Sequence, residues 1–296
     1  MYALFASVFS IGKMTLMYCS PFFLTGVRML IAGFILLLFQ WTKHRDQCTV
    51  RREHWPLLFL IGLFNVFITN AFEFWGLQYM ESAKTCLIYS LSPFVSIFLS
   101  YVILSETMSL KKWIGLMIGL LGFLPICMTG NDRAPPGGLL TRVTLPEVAV
   151  AISACTAVIG WIFMKKLTRQ HHYPIIMANA VSFVIGGLTS LSVSAFTESW
   201  TPFPMTKFYP FLAGVLYIAI IHNVICYNLY AYSLGRFSVT FMTFAGISNP
   251  LFAAIFGWMF LHEKPGVPFF SSLFLVFFGL YLFSREETAT PRLSIS

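Results

Sequence analysis

The sequence predicts an all-α integral membrane protein of ten transmembrane helices, built as two inverted five-helix repeats. Three observations lead there. The 296 residues are 57% hydrophobic, 17% aromatic and only 10% charged, whereas a water-soluble domain carries about 25% charged residues. Apolar runs close to the roughly 20 residues needed to cross a bilayer recur ten times. The residue pattern of the first five runs then returns in the second five. Such runs with short loops nearly use up the chain, leaving no room for a soluble catalytic domain.

Bounded by charges, Pro or Asn/Gly clusters, the runs are 1–17, 22–41, 56–78, 82–104 and 110–129, then 145–164, 174–196, 208–232, 238–261 and 267–283. Each is apolar all round and about twice the length of the roughly 10-residue alternating strand of a membrane barrel, so helices are expected throughout. The opening Met1-Tyr2-Ala3-Leu4-Phe5 lacks the basic region and small-residue cleavage site of a signal peptide, so the first run is expected to remain as a helix. Cys19, Cys48, Cys86, Cys127, Cys155 and Cys226 are scattered without metal-ligand spacing and read as small apolar residues. No metal or cofactor is expected.

The placement of the 19 Lys and Arg residues along the chain, the source of the net charge of +8, sets orientation. With a cytoplasmic N-terminus, the inner loops and tail hold twelve of the 19 basic residues, Lys43, Arg45, Arg51, Arg52, Lys111, Lys112, Lys165, Lys166, Arg169, Arg236, Arg285 and Arg292. The outer side holds five, Lys84, Arg133, Arg142, Lys207 and Lys264, and Lys13 and Arg28 lie within spans. This bias predicts both termini inside a bacterial cytoplasmic membrane. Basic charge is thereby assigned to topology, and no nucleic-acid partner is expected.

A shift of 157 lays Leu77 on Leu234, Pro93 on Pro250, Leu104 on Leu261, Glu106 on Glu263 and Gly122 on Gly279, and Pro and Glu keep a spacing of 13 in both halves. At a shift of 153, Lys13, Pro21 and Gly33 fall on Lys166, Pro174 and Gly186. The organisation is therefore a first repeat (1–129), a polar linker (130–144), a second repeat (145–283) and a cytoplasmic tail (284–296). Because five is odd, the second repeat enters the membrane from the opposite face. Inverted repeats are the architecture of secondary transporters, whose site lies near the midplane between the repeats. A duplicated bundle without transport is the alternative.

Ionisable groups inside spans are costly and are candidates for function by default. Arg28, Glu73 and Lys84 qualify, with Lys13 nearer the end of its span. Asn65, Thr69 and Glu73 stand at i, i+4 and i+8, which on a regular helix is one face. Tyr89 belongs to a polar series on the fourth span, with Thr85, Ser92 and Ser96. In the second half, His222, Asn223, Tyr227, Asn228 and Tyr230 crowd the eighth span. These groups are the expected substrate-binding set, with a salt bridge from Glu73 to Arg28 or Lys84 as the competing structural reading. His222 is either a proton carrier or an interhelical hydrogen bonder. Pro93 and Pro250 are candidate conformational hinges, each breaking its helix at a corresponding position. Gly115-x-x-x-Gly119 favours close packing, at the periphery or in a homodimer.

The chain resembles the ten-span EamA type of the drug/metabolite transporter superfamily. The resemblance rests on Lys13, Pro21 and Arg28 in the first two spans, and on Ala83, Leu87, Leu91, Pro93 and Glu106 in the fourth and its exit. Gly115, Gly119 and Gly122 follow in the fifth, and Trp161, Lys166, Pro250, Glu263 and Gly279 repeat the pattern. The second half departs from it, offering Val181 opposite Arg28, and Ser272 and Val276 opposite Gly115 and Gly119. The resemblance implies transport of small metabolites such as amino acids, nucleotide-like compounds or drugs, with spans one to four and six to nine around a central cavity. Within the family, the run from Ser20 to Arg28 is similar to the S-adenosylmethionine transporters of obligate intracellular bacteria.

A secondary transporter working by alternating access is therefore expected, with S-adenosylmethionine exchanged for S-adenosylhomocysteine as the candidate cargo. No Gly-x-x-x-x-Gly-Lys-Ser/Thr loop supports ATP hydrolysis. The rival is an intramembrane enzyme acting on lipid, which the absence of His-Glu-x-x-His and of clustered Asp disfavours. The partners expected are the bilayer and a small metabolite.

Overall fold

Pro21 begins the second helix at a first-turn position, where its missing N–H leaves no bond unmade. Helix α1 (Tyr2–Leu16) precedes it, and α2 runs Pro21–Lys43. Helix α3 (55–77) is composite: α-helical over Trp55–Ile61, a π-helix over Gly62–Ile68, then α-helical over Thr69–Leu77. Helix α4 (82–104) is broken into Ser82–Tyr89 and Ser92–Leu104, and α5 is Leu110–Leu121. Thr144 and Glu147 form a capping box at the start of α6 (Leu145–Gln170), which α7 (Ile175–Thr197) follows. Helix α8 (208–233) again contains a π-helix, Ile218–Cys226, between Phe208–Tyr217 and Tyr227–Ser233. Helix α9 (239–261) is interrupted at Gly246–Ser248, and α10 is Val267–Ala289. This computed structural model describes residues 1–43, 45, 52–104, 110–127, 144–200, 203–237 and 239–289.

Among the described residues, seven helical segments are long and apolar enough to cross a membrane, and three shorter apolar helices make up ten. Helices α6 and α10 outrun their apolar stretches, ending at Gln170 and Ala289. Backbone hydrogen bonding does not stop at the bilayer edge, and the basic Arg169 in the last turn of α6 suits the negative end of its dipole. Large apolar side chains point outward, Phe34, Leu38, Trp258 and Phe274 being at least 60% exposed. Ser10, Thr25, Asn70, Ser153 and Ser182 are fully buried. That distribution suits lipid as the solvent.

The two halves interlock through equivalent partners. Helix α2 packs along α7 and α5 along α10, while α1 lies against α8 and the second part of α9, and α6 against α3 and α4. The α2–α7 seam depends on small residues: a Cβ at Gly33 would stand 2.9 Å from Val184 Cγ2 and 3.2 Å from the Ala180 carbonyl oxygen. At the α5–α10 seam, a Cβ on Gly279 would fall 2.6 Å from the Gly115 carbonyl oxygen and against Gly119. The Gly115-x-x-x-Gly119 face is thus filled by α10 of the same chain.

The internal repeat extends to backbone irregularities. A shift of 157 carries the π segment 62–68 onto 219–225, inside the π segment of α8. Pro93 and Pro250 each stand second in a restarted helix, so both equivalent helices end before the proline and begin again with it. The irregularity is a short turn at Ser90 and Leu91 in α4 and a 3-10 turn over Gly246–Ser248 in α9. Glu106 and linker residues 130–143 lie outside the described residues.

Candidate substrate-binding site

Helices α1, α3, α4, α6, α8 and α9 line a cavity whose empty space, open solvent at its mouth included, is about 740 Å³. Its walls are mostly aromatic: Phe5 and Phe9 from α1, Tyr89 from α4, Trp161 from α6, and His222, Tyr227 and Tyr230 from α8. Trp161 lies over Tyr230 with ring centroids 4.3 Å apart and is 5.1 Å from Tyr227. Phe5 meets His222 edge-on at 5.3 Å. One acidic side chain, Glu73, lines this space. It is 5% exposed, and no ion pair or hydrogen bond from another described residue reaches its carboxylate. A negative group among ring faces is suited to a cationic, partly planar ligand.

Behind the wall, Arg28 is 0% exposed and holds α2, α3 and α8 together. Its Nη2 donates to Asn70 Oδ1 at 2.8 Å, and Nη1 donates to Asn223 Oδ1 at 3.3 Å and meets His222 Nδ1 at 3.1 Å. The guanidinium carbon stands 4.2 Å from the Phe74 ring centroid, a cation–π contact. Asn70 in turn donates to the Tyr227 hydroxyl at 3.0 Å, and that hydroxyl donates to the Asn65 carbonyl at 3.2 Å. Asn223 Nδ2 donates to Met29 Sδ.

The expected site is therefore split. Glu73, Tyr89, His222, Tyr227 and Tyr230 line the cavity, and Arg28 and Asn223 support it from behind. Thr69 instead bonds Thr156 of α6 at 2.9 Å, and Asn65 is pressed against Gly160 of α6. Asn228 accepts from Asn179 of α7 at 2.9 Å. Lys84 is paired with Glu147 at 2.5 Å, so neither Arg28 nor Lys84 forms the salt bridge to Glu73 that the sequence suggested. The stripe through Asn65, Thr69 and Glu73 fails because the π segment widens the turn: Asn70 Nδ2 and Thr69 Oγ1 bond carbonyls five residues back, Asn65 and Phe64. Tyr2, Phe5, Phe9 and Trp161 were missed as lining residues, although the i, i+4 pair Phe5/Phe9 was a visible signal.

At the end holding the C-terminus of α1, ion-pair and hydrogen-bond contacts tie α1 to the segments beside α4 and α9. Lys13 Nζ bonds Glu263 Oε1 and the Met80 carbonyl, each at 2.6 Å, and Glu263 Oε2 accepts from the Ser82 amide at 2.9 Å. Beside them, burial pushes the Glu81 carboxyl up, and Glu263 adds to that while Lys13 and Lys84 oppose it. Glu198 at the end of α7 accepts from the Phe22 and Phe23 amides at 2.8 and 2.9 Å, an anion at the N-terminus of α2. The loops after α1 and before α8 pair as an extended bridge at Cys19 and Met205.

Known proteins share this architecture. Over 291 residues the chain is 37% identical to an S-adenosylmethionine/S-adenosylhomocysteine transporter of Chlamydia muridarum (strain MoPn / Nigg), covering 96% of this chain and 89% of that protein. A transporter of the same description from Chlamydia trachomatis serovar L2 is 36% identical, covering 96% and 86%. A crystal structure of a protein 15% identical superposes with a TM-score of 0.65 over 97% of this chain and 98% of its own, a likeness of fold alone. The profile of the EamA-like transporter family matches residues 1–128 and 144–285, nearly the whole of both halves. Ten helices in two related halves around a ring-lined cavity, and this match, place the chain in the EamA-like transporter family, as a secondary transporter and not an enzyme.

Proposed function

We propose that this transporter exchanges S-adenosylmethionine for S-adenosylhomocysteine across the bacterial cytoplasmic membrane, with both termini on the cytoplasmic side. The observation that carries this reading is Glu73, a buried carboxylate that no described residue meets in an ion pair, facing ring-lined space. S-adenosylmethionine brings a sulfonium and an ammonium for the carboxylate and an adenine for the rings. The names of the Chlamydia relatives point the same way. In this reading, the ties around Lys13 and Glu263 close the outer side and the cavity faces the cytoplasm, so exchange to the other access state breaks those ties. Pro93 and Pro250, each at a restarted helix, are where α4 and α9 bend during that exchange.

Purified protein in liposomes loaded with S-adenosylhomocysteine tests the reading. Labelled S-adenosylmethionine should enter loaded vesicles at least about tenfold faster than empty ones, since exchange requires a returning cargo. Equal entry would rule out obligatory exchange, and no entry would rule out the cargo. Amino acids, nucleotide-like compounds and drugs, offered as competitors, separate the other cargoes that the family admits.

A further inference from the structure

Resting on the cargo class proposed above, we infer that the site recognises the zwitterionic α-amino-acid head of its substrate, with His222 as a neutral donor to the carboxylate and Arg28 as the residue that positions it. A guanidinium has only N–H groups to offer, so Arg28 Nη1 at 3.1 Å from His222 Nδ1 makes Nδ1 the acceptor. The ring is then the neutral tautomer with its proton on Nε2. A protonated ring would set N–H against N–H and cation against cation. This excludes the proton-carrier role that the sequence allowed for His222 while the Arg28 bond stands.

Nδ1 faces Arg28, and Nε2 has no hydrogen-bond partner among the described residues although the ring is more than nine-tenths buried. His222 lines the same cavity as Glu73, whose carboxylate is equally unpartnered and buried. The rings of Phe5 and Tyr227 meet the imidazole edge-on and offer Nε2–H no acceptor, and the Arg28 charge behind the ring favours an anionic acceptor from the ligand. The cavity thus presents an acceptor for an ammonium and a donor for a carboxylate. Arg28, sealed behind the wall, does not touch the ligand: it fixes the tautomer and lends its positive charge to the side where the carboxylate lies. Rings of Trp161, Tyr227 and Tyr230 remain for the sulfonium and the adenine.

Competition against labelled S-adenosylmethionine in proteoliposomes tests this, using the analogue whose α-carboxylate is replaced by hydrogen. A hydrogen bond to a charged group makes the expected loss of apparent affinity about ten- to a hundredfold. Equal competition by the analogue overturns the inference and leaves the cargo proposal standing, whereas no S-adenosylmethionine transport overturns both. Two variants sharpen the result. His222→Gln offers an amide oxygen to Arg28 and an N–H to the cavity, so it should keep the discrimination, while His222→Phe should bring the ratio of the two affinities to near one. A ratio in His222→Phe as large as in the unaltered protein would remove His222 from carboxylate recognition. Arg28→Lys should lower the ratio, since a lysine does not reproduce the planar fork; an unchanged ratio would show that Arg28 has no part in it.

Discussion

Helices α3 and α8 are one element used twice, and they do different chemistry. Each has a π segment at the same repeat position, and the 157-residue shift pairs Asn65 with His222, Asn70 with Tyr227 and Glu73 with Tyr230. The backbone device is kept and the side chains are exchanged. Helix α3 supplies a carboxylate and a polar brace for Arg28, whereas α8 supplies rings and the imidazole. Asn65 is wedged against Gly160 of α6, while its counterpart His222 faces open space beside Phe5 of α1. Symmetry resides in the backbone of the two helices, and asymmetry in the side chains they carry.

The comparison breaks most severely at the brace. Arg28→Leu leaves Asn70 Oδ1, Asn223 Oδ1 and His222 Nδ1 buried without their donor, and should destabilise the protein by about 3 kcal/mol, read as a fall in melting temperature in detergent. Val181, at the corresponding place on α7, should tolerate exchange for Leu within about 1 kcal/mol. Glu73→Gln comes next. It should cut initial S-adenosylmethionine uptake by about a hundredfold, the worth of a desolvated charge contact, with the melting temperature nearly unchanged. A large fall in melting temperature would assign Glu73 to the fold. On the α8 side, Trp161→Ala removes the ring stacked on Tyr230 and should weaken half-saturation by about tenfold, as a cation–π and stacking contact is lost. The smallest effect is expected at Thr69→Val, which loses the bond to Thr156: about 1 kcal/mol of stability with transport kinetics unaltered. A transport defect there would restore Thr69 to the cavity.

Span positions and the repeat were legible because bilayer thickness fixes run length and a shared offset survives in Pro93/Pro250 and Glu106/Glu263. Register was not. A period of 3.6 residues puts Asn65 and Glu73 on one face, and only the π segment, which leaves no plain mark in composition, turns Asn65 toward α6. Lys84 looked like a free intramembrane cation because its partner, Glu147, lies 63 residues away in the other half, at the mouth of α6. Phe5, Phe9 and Trp161 were hidden by their abundance: among 32 Phe and seven Trp, nothing local separates a cavity ring from a lipid-facing one.

The glycine-lined contact between α2 and α7 has a mechanical consequence. When two bodies rock, points near their shared axle travel least, and α2 meets α7 antiparallel, Gly26 against Gly187 and Gly33 against Ala180. Arg28 hangs from that axle. Should the two halves rock about that seam, the guanidinium and its amide partners would stay dry through the cycle while water entered and left at the Lys13–Glu263 pair. Hydrogen–deuterium exchange during turnover should find the slowest amides on α2 around Arg28 and the fastest-responding ones at Ser82 and Glu263. The costly burial of that cation would then be incurred once, at folding, and not again in each transport step.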